Sequence, residues 1–253
     1  MKQLLEIAKR AAFEAGSEIL RIYTDPSQDF GIKKKSDNSP LTLADKAAHL
    51  CIMLHLRDTG IPVLSEEGKH LPYARRQAWK RLWVVDPLDG TKEFIKKNGE
   101  FTVNIALVED GVPVLGVIYI PVAGILYYGI VGEGAWKQEG EKTIQIPVLC
   151  KHPGYVVVAS RSHMTPETEA YIEEARRKHT HVDLVSSGSS IKICLVAEGV
   201  ADSYPRFAPT MEWDTAAGDA IARAAGRHVI DVKTGQSLVY NKEDLHNPWF
   251  LVE

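Results

Sequence analysis

The spacing of apolar residues in the first third of the chain predicts two helices. In residues 3–23, small and branched apolar side chains recur every three or four positions, as they do on the buried face of a helix. These residues are Leu4, Ala8, Ala11, Ala15, Ile19 and Ile22. A second helix is predicted to open at Thr42, because Asp45 stands three residues later as in a capping box, and to stop at Gly60.

The middle of the chain has the patterns of strands. Short apolar strands are predicted to end at Ser65 and at Asp86, and period-two patterns or apolar runs follow at 101–108, 114–120 and 125–131. Residues 111–132 carry no charge and are long enough to span a bilayer. They also contain two prolines and five glycines, so we interpret them as strands and expect no transmembrane segment.

Strand and helix patterns alternate after about residue 150. Strands are predicted at 155–159 and 182–185, and helices from Thr165, at 189–198 and at 213–225. We therefore expect an α+β part in residues 1–150, with helices on a mainly antiparallel sheet, and an α/β part in residues 151–253. The two parts are expected to be tightly joined as one functional unit.

Composition narrows the class of protein. With 253 residues, 45% hydrophobic and 25% charged, the chain resembles ordinary globular proteins, and its net charge of -3 disfavours nucleic acid as a partner. Cys51, Cys150 and Cys194 form no C-x-x-C motif, which indicates reduced core thiols. The first twenty residues carry Glu6, Lys9, Arg10, Glu14 and Glu18, which leave no apolar region for a secretory signal, so we expect none. We expect a cytoplasmic protein. Peripheral attachment at the inner membrane and the oligomeric state are both left open.

Acidic residues stand at the ends of several predicted elements. Asp86 ends an apolar strand in the stretch WVVDPLDGTKEF, and Asp89 follows three residues later. Glu66 follows the strand that ends at Ser65, and Asp214 lies in the first turn of a predicted helix. Each acid alone is explained as a turn or capping residue. Together they predict an oxygen-rich site for Mg2+, of the two-metal kind that hydrolyses phosphate esters.

Two other phosphatase chemistries fit the sequence less well. In haloacid-dehalogenase-type phosphatases the aspartates of the DxDGT turn are two residues apart, whereas Asp86 and Asp89 are three apart. Cys51 and Arg57 match the C-x5-R spacing of cysteine phosphatases, but they lie within a helical pattern that lacks glycine. Backbone amides engaged in helix hydrogen bonds cannot cradle a phosphate, so we interpret Cys51 as a core residue.

Several motifs resemble those of the inositol monophosphatase superfamily. DPLDGT at 86–91 and WDTAAGDAI at 213–221 are similar to its two signatures. DGTKEF, NGEFTVNIAL, SPLTLAD, SRSH and PTMEWDTAAG are closer to its bacterial 3'(2'),5'-bisphosphate nucleotidases. The resemblance covers nearly the whole chain. It implies a layered αβαβα sandwich and a lithium-sensitive, Mg2+-dependent phosphatase.

The resemblance also implies a role for each matching residue. Glu66, Asp86, Asp89 and the Leu88 carbonyl match metal ligands, and Asp214 matches a ligand of the second ion. Gly90 and Thr91 match the phosphate-holding positions, and Thr91 with Glu66 would orient the attacking water. Asp45 matches an acid near a third, weaker ion, so two or three Mg2+ ions are expected.

Polar residues in the second half are candidates for binding the rest of the substrate. They are Arg161, Ser162, His163, Ser189, Lys192, Tyr204 and Arg206. Each alone is explained as a surface residue. As a set they resemble the residues that hold adenosine and a second phosphate, and Arg206 suits bidentate phosphate binding.

The function expected from the sequence is removal of the 3'-phosphate of adenosine 3',5'-bisphosphate, giving AMP, with 3'-phosphoadenylyl sulfate as a further substrate. The cellular role implied by the resemblance lies in sulfate assimilation, within sulfur metabolism. One alternative is an inositol monophosphatase or another sugar-phosphate phosphatase. The metal motifs do not distinguish these enzymes from a bisphosphate nucleotidase. The other is a nucleotide sensor without turnover, which would not need the water geometry of Thr91 and Glu66.

Overall fold

The computed structural model describes residues 1–26, 30–34, 40–69, 71–148, 153–160 and 164–253. Within these ranges the α-helices are α1 Lys2–Thr24, α2 Leu43–Leu56, α3 Tyr73–Arg76, α4 Thr91–Ile95, α5 Pro166–Lys178, α6 Ile191–Glu198 and α7 Glu212–Ala224. The strands are β1 Lys33–Lys34, β2 Pro40–Leu41, β3 Val63–Ser65, β4 Arg81–Asp89, β5 Thr102–Glu109, β6 Val112–Ile120, β7 Ile125–Ile130, β8 Gly134–Glu139, β9 Lys142–Ile146, β10 Tyr155–Ala159, β11 Val182–Ser186, β12 Tyr204–Arg206, β13 Val229–Asp231 and β14 Phe250–Val252.

The largest sheet has seven strands in the order β3-β4-β5-β6-β7-β8-β9. Only β3 and β4 are parallel, and every other neighbouring pair is antiparallel. In the second half, β10 pairs in parallel with β11, and a parallel bridge joins Val157 to Ser203. The chain then enters β12, which is antiparallel to β14 in the order β12-β14-β13.

Alternation along β4 directs side chains to the two faces of the large sheet. Trp83 and Val85 lie in a core with α1 and α2, whereas Leu82 and Val84 lie in a core with α6 and α7. Helices α6 and α7 also contact the strands of the second half, against which α5 packs. The layers are therefore helix, sheet, helix, sheet and helix, which confirms the predicted αβαβα sandwich.

A pair of glycines brings α7 close to the large sheet. Gly116 on β6 lies opposite Gly129 on β7. A Cβ at Gly116 would lie 2.2 Å from the Ala217 carbonyl oxygen, and one at Gly129 would lie 2.9 Å from the Ala224 Cβ. No real Cβ contact is that short, so only glycine permits this approach. The close approach at these two glycines fixes the position of α7, and with it the position of Asp214 in its first turn.

Most of the predicted elements are confirmed. Helix α1 occupies its predicted range, and α2 begins with the predicted Thr42–Asp45 capping box. Helix α2 ends at Leu56, and a 3-10 turn at Arg57–Thr59 continues to the predicted stop at Gly60. Residues 111–132 contain the whole of β6 and β7, and no helix of the described ranges is long and apolar enough to cross a membrane. The boundary near residue 150 stays a prediction, since residues 149–152 lie outside the described ranges.

Three predictions were wrong in detail. Strand β4 continues past Asp86 to Asp89. Helix α6 begins at Ile191 and not at Ser189, because Ser189 has φ of 40°, which a right-handed helix does not accept. Strands β8 and β9 were missed, since only Ala135 and Ile146 in them are buried and their apolar alternation is weak.

Candidate active site and metal centre

A bulge in β4 explains how Asp86 and Asp89 reach the same place. Residues three apart on a regular strand point to opposite faces. Asp86 pairs with Asn104 and Asp89 with Thr102, so three steps on β4 match two on β5. The extra residue restores a common side for the two carboxyls. The Leu88 N–H donates to Asp86 Oδ1 at 3.0 Å within this bulge.

Helix α7 brings a third carboxyl to the same point. Carboxylate oxygens of Asp86, Asp89 and Asp214 lie within 4.8 Å of one another. Asp214 also caps its helix, since Oδ2 accepts from the Met211 N–H at 2.8 Å. The capping interpretation and the metal interpretation of Asp214 are therefore compatible. The cluster joins residues from the large sheet and from a helix more than a hundred positions later.

The electrostatics of the cluster favour bound protons or a bound cation. Burial, followed by the charges of Glu66, Asp89 and Asp214, raises the pKa of Asp86 well above its usual range. Burial raises the pKa of Asp214 to about 8, with Asp89 as the next cause. Burial also raises the pKa of Asp89 to about 6, against the opposing effects of Lys192 and of the Ser190 N–H. A divalent cation would relieve this repulsion.

Glu66 and Leu88 complete an oxygen-rich set around the three aspartates. Strand β3 runs parallel to β4 and ends at the same edge, and the Glu66 N–H donates to the Val85 carbonyl at 3.1 Å. The Glu66 carboxyl shares a hydrogen bond with Asp86. The Leu88 carbonyl accepts from Thr91 Oγ1 at 3.4 Å. Oxygen donors alone suit a hard divalent ion, so the residues present fit a metal site.

Thr91 connects this cluster to α2. Gly90 has φ of 93° and directs the chain from β4 into α4, which begins at Thr91. Thr91 Oγ1 lies 3.2 Å from Asp45 Oδ1, while Asp45 Oδ2 accepts from the Thr42 N–H at 2.7 Å. Asp45 is buried. One oxygen of Asp45 therefore caps α2, and the other holds the Thr91 hydroxyl.

A cavity of about 530 Å³ extends from the acidic cluster to a basic end. The predicted residues on its wall are Asp89, Gly90, Thr91, Ser189, Lys192, Tyr204, Arg206 and Asp214. Lys192 is buried, and its ammonium donates to the carbonyls of Ser187 at 3.2 Å and Ser189 at 2.6 Å. Burial lowers the pKa of Lys192 to about 8, and the charge of Arg206 lowers it too. The two cations therefore lie close enough to repel each other.

The remaining wall of the basic end is partly aromatic. The Lys192 ammonium lies 5.4 Å from the centroid of the Tyr204 ring, and burial raises the pKa of Tyr204 to about 12. Arg206 donates through Nη2 to the Pro209 carbonyl at 3.2 Å. Within the described ranges, no carboxylate lies within 4.0 Å of either the Lys192 ammonium or the Arg206 guanidinium. This end of the cavity can accept an anionic group.

Sequence patterns did not identify the polar residues that hold Asp89. The Ser190 N–H donates to Asp89 Oδ2 at 2.7 Å, and Ser190 Oγ lies 2.8 Å from Asn104 Oδ1. Thr102 Oγ1 lies 2.9 Å from the same Asn104 oxygen. Thr102 and Asn104 lie in the NGEFTVNIAL stretch, where the sequence pattern predicted a strand but no role in the site. The contacts of Ser190 join residues 86 and 101 positions apart, which local patterns do not reveal.

The predicted substrate residues Arg161, Ser162 and His163 lie outside the described residues, as does Cys150. Ser160, the described residue before them, lies on the cavity wall. Cys194 is buried and free, as predicted. Cys51 is also free, and it packs half-buried against the core that α1 and α2 share, in agreement with its interpretation as a core residue.

The fold and the acidic cluster are those of a metal-binding phosphatase family. A model of the inositol monophosphatase family matches residues 1–249. The chain belongs to this family.

Relatives within the family share the bisphosphate nucleotidase name. The 3'(2'),5'-bisphosphate nucleotidase CysQ of Salmonella typhimurium is 50% identical over 252 residues, covering 98% of this chain and 99% of the relative. The CysQ of Escherichia coli K12 is 48% identical with the same coverage. The crystal structure of CysQ from Bacteroides thetaiotaomicron superposes with a TM-score of 0.93 at 56% identity, covering 100% of this chain and 97% of that one.

Proposed function

We propose that this chain is a Mg2+-dependent 3'(2'),5'-bisphosphate nucleotidase that hydrolyses adenosine 3',5'-bisphosphate to AMP and phosphate. The observation that carries the proposal is one cavity with an acidic metal cluster at one end and two cations, Lys192 and Arg206, at the other. A substrate with two phosphates matches both ends. The names of the relatives support the same substrate class. The proposal includes 3'-phosphoadenylyl sulfate as a further substrate, a cytoplasmic location and a role in sulfate assimilation.

In the metal half, Glu66, Asp86, Asp89 and the Leu88 carbonyl would hold one ion, and Asp214 would contribute to a second. Asp45 lies beside Thr91, where a third, weaker ion is proposed. Bound Mg2+ supplies an activated water and neutralises charge on the leaving oxygen. The bulge in β4 and the hydrogen bond from the Ser190 N–H hold these carboxylates in place before substrate arrives.

Thr91 and Glu66 are proposed to orient the attacking water. The Thr91 hydroxyl donates one proton, and Asp45 Oδ1 and the Leu88 carbonyl lie at 3.2 and 3.4 Å from it. Once that proton is engaged, the hydroxyl oxygen is left as an acceptor for a water proton. The water oxygen forms the new bond to phosphorus, the bond from phosphorus to the 3' oxygen breaks, and that oxygen gains a proton.

In the nucleotide half, Arg206 and Lys192 are proposed to bind the 5'-phosphate. An anion between two cations removes their mutual repulsion and gains charge-assisted hydrogen bonds. Tyr204 and Ser189 lie beside them on the cavity wall, and Gly90 lies at the phosphate end. Arg161, Ser162 and His163 are proposed to contact the nucleoside or its phosphate.

The experiment that tests this function compares Mg2+-dependent phosphate release from adenosine 3',5'-bisphosphate and from inositol 1-phosphate. We expect kcat/KM for the bisphosphate to be at least about tenfold higher, because inositol 1-phosphate leaves the two cations without a partner. A preference for inositol 1-phosphate would assign the chain to the sugar-phosphate phosphatases. Tight nucleotide binding without phosphate release would assign it to the sensors. Asp86→Asn serves as the control for contaminating phosphatases.

A further inference from the structure

A second cluster of metal-binding side chains lies away from the proposed active site. In the described part of the chain, ligand atoms of Glu14, Cys51 and His55 lie within 4.8 Å of one another. The His55 Nε2 atom lies 2.9 Å from Glu14 Oε2. Glu14 is exposed, whereas Cys51 and His55 are half-buried. The cluster therefore lies at the surface, within reach of ions from solvent.

The packing of two helices places these side chains together. Cys51 and His55 are four residues apart on α2 and so lie on one face of that helix. Glu14 lies on α1, next to Ala15, which is fully buried in the core that α1 and α2 share. Small residues at such an interface let helix backbones approach closely. Two ligands are thereby fixed by α2, and a flexible glutamate from α1 can adjust to them.

The chemistry of the three donors differs from that of the acidic cluster. Thiolate, imidazole and carboxylate are the ligands of Zn2+ in proteins, whereas oxygen donors alone suit Mg2+. We propose that Glu14, Cys51 and His55 bind a Zn2+ ion at the α1–α2 interface. Water would occupy the fourth position of the tetrahedron, or Glu18, whose charge acts on Cys51.

Ligand atoms that lie within 4.8 Å of one another have to move by about an ångström to bind one ion. Zinc bonds of about 2.3 Å to sulfur and 2.0–2.2 Å to nitrogen or oxygen place tetrahedral ligand atoms about 3.3–3.6 Å apart. The Glu14 and His55 atoms are already closer than this at 2.9 Å. A rotation of the Glu14 side chain, which is 55% exposed, opens that pair.

An ordinary surface ion pair between Glu14 and His55 does not use the thiol. Burial, followed by the charges of Glu14 and Glu18, raises the pKa of Cys51, so the thiol stays protonated without a metal. Two acids beside a thiol disfavour the thiolate, and a dication would reverse that effect. The Zn2+ hypothesis therefore predicts a thiolate that appears only when metal is bound.

Cobalt provides a spectroscopic test, because a cysteine thiolate bound to Co2+ gives a charge-transfer absorption that carboxylates do not give. Metal-free protein is titrated with Co2+ in excess Mg2+, which occupies the oxygen sites. We expect one equivalent of Co2+ to develop this band and added Zn2+ to abolish it. Cys51→Ser should remove the band, and His55→Ala should weaken Co2+ binding by at least about tenfold.

Thermal unfolding provides a second measurement. At a free Zn2+ concentration 100 times the Kd, the Tm should rise by about 5–10 °C. Cys51→Ser should lose this rise while keeping the Tm of the metal-free protein within a few degrees.

The exposed pair His246 and Asp244, 2.7 Å apart, is a matched control without a thiol. His246→Ala should change neither the band nor the shift. A titration without a thiolate band, or a Zn2+ shift that survives in both Cys51→Ser and His55→Ala, would overturn the proposal. Either result leaves the nucleotidase assignment unaffected, since that assignment is tested by phosphate release.

Discussion

Removing the Arg206 side chain should separate the two halves of the proposed site. Arg206 lies on the cavity wall, where its charge acts on both Lys192 and Asp214, and its loss leaves Lys192 as the cation for the second phosphate. A charge-assisted hydrogen bond contributes about 1.5–3 kcal/mol. Arg206→Ala should therefore lower kcat/KM for adenosine 3',5'-bisphosphate by about tenfold to a hundredfold or more. Hydrolysis of a monophosphate such as inositol 1-phosphate should hardly change.

Relief of repulsion at Lys192 does not compensate for this loss. The lowered pKa of Lys192 is about 8, so the ammonium is mostly charged at pH 7 before the substitution. Because the cation is lost as pH rises through that pKa, affinity for the bisphosphate should fall above about pH 8 in the wild type. In Arg206→Ala, one neighbouring positive charge is gone, so the same fall should occur at higher pH.

The assay measures kcat/KM for both substrates with both proteins, across pH 6.5–9.5. Arg206→Lys keeps the charge without the planar fork and should lie between the wild type and the alanine variant. Arg81→Ala removes an exposed arginine, paired with Glu109 on the surface, and should leave all values unchanged. Equal losses on both substrates would refute the reasoning, because Arg206 would then support the fold or the metal cluster.

Three further predictions concern the metal cluster and its support. Asp86→Asn should lower kcat by far more than tenfold, and metal-free protein should stay folded with equal or higher Tm, because folding no longer has to bury or protonate a carboxyl beside Glu66, Asp89 and Asp214. The exposed Asp58→Asn is the control, and kcat above about a tenth of wild type would contradict a metal role. Excess chelator should abolish phosphate release, Mg2+ should restore it and Ca2+ should restore it poorly, since Ca2+ is larger and holds its ligands more loosely; full turnover in chelator would contradict metal dependence. Gly116→Ala should lower the free energy of unfolding, measured in urea, by about 3 kcal/mol or more, because its Cβ would lie 2.2 Å from the Ala217 carbonyl oxygen. Val112→Ala, at the exposed start of the same strand, is the control and should cost less than about 1 kcal/mol. Equal costs would contradict the close approach of α7 to the sheet at Gly116.

Local patterns in the sequence determined most of the secondary structure. The buried stripe of α1, the capping box at Thr42 and the period-two strands from Phe101 each follow from short-range chemistry, and the structure confirms them. The layered fold was predicted from motif resemblance. DPLDGT and WDTAAGDAI stand far apart in the sequence, and they are similar to the two signatures of one superfamily with that fold. The weak alternation of β8 and β9 carried no comparable signal.

The tertiary structure decided that the acidic residues converge on one site. Asp86 and Asp89 share a side because β4 bulges against β5, and Asp214 joins them because Gly116 and Gly129 let α7 approach the sheet. The cluster of Glu14, Cys51 and His55 likewise exists only where α1 packs on α2, and no sequence pattern linked its members. Sequence periodicity specifies which face of an element is buried. The distance between side chains on different elements depends on close packing, which bulges and glycines adjust by ångströms.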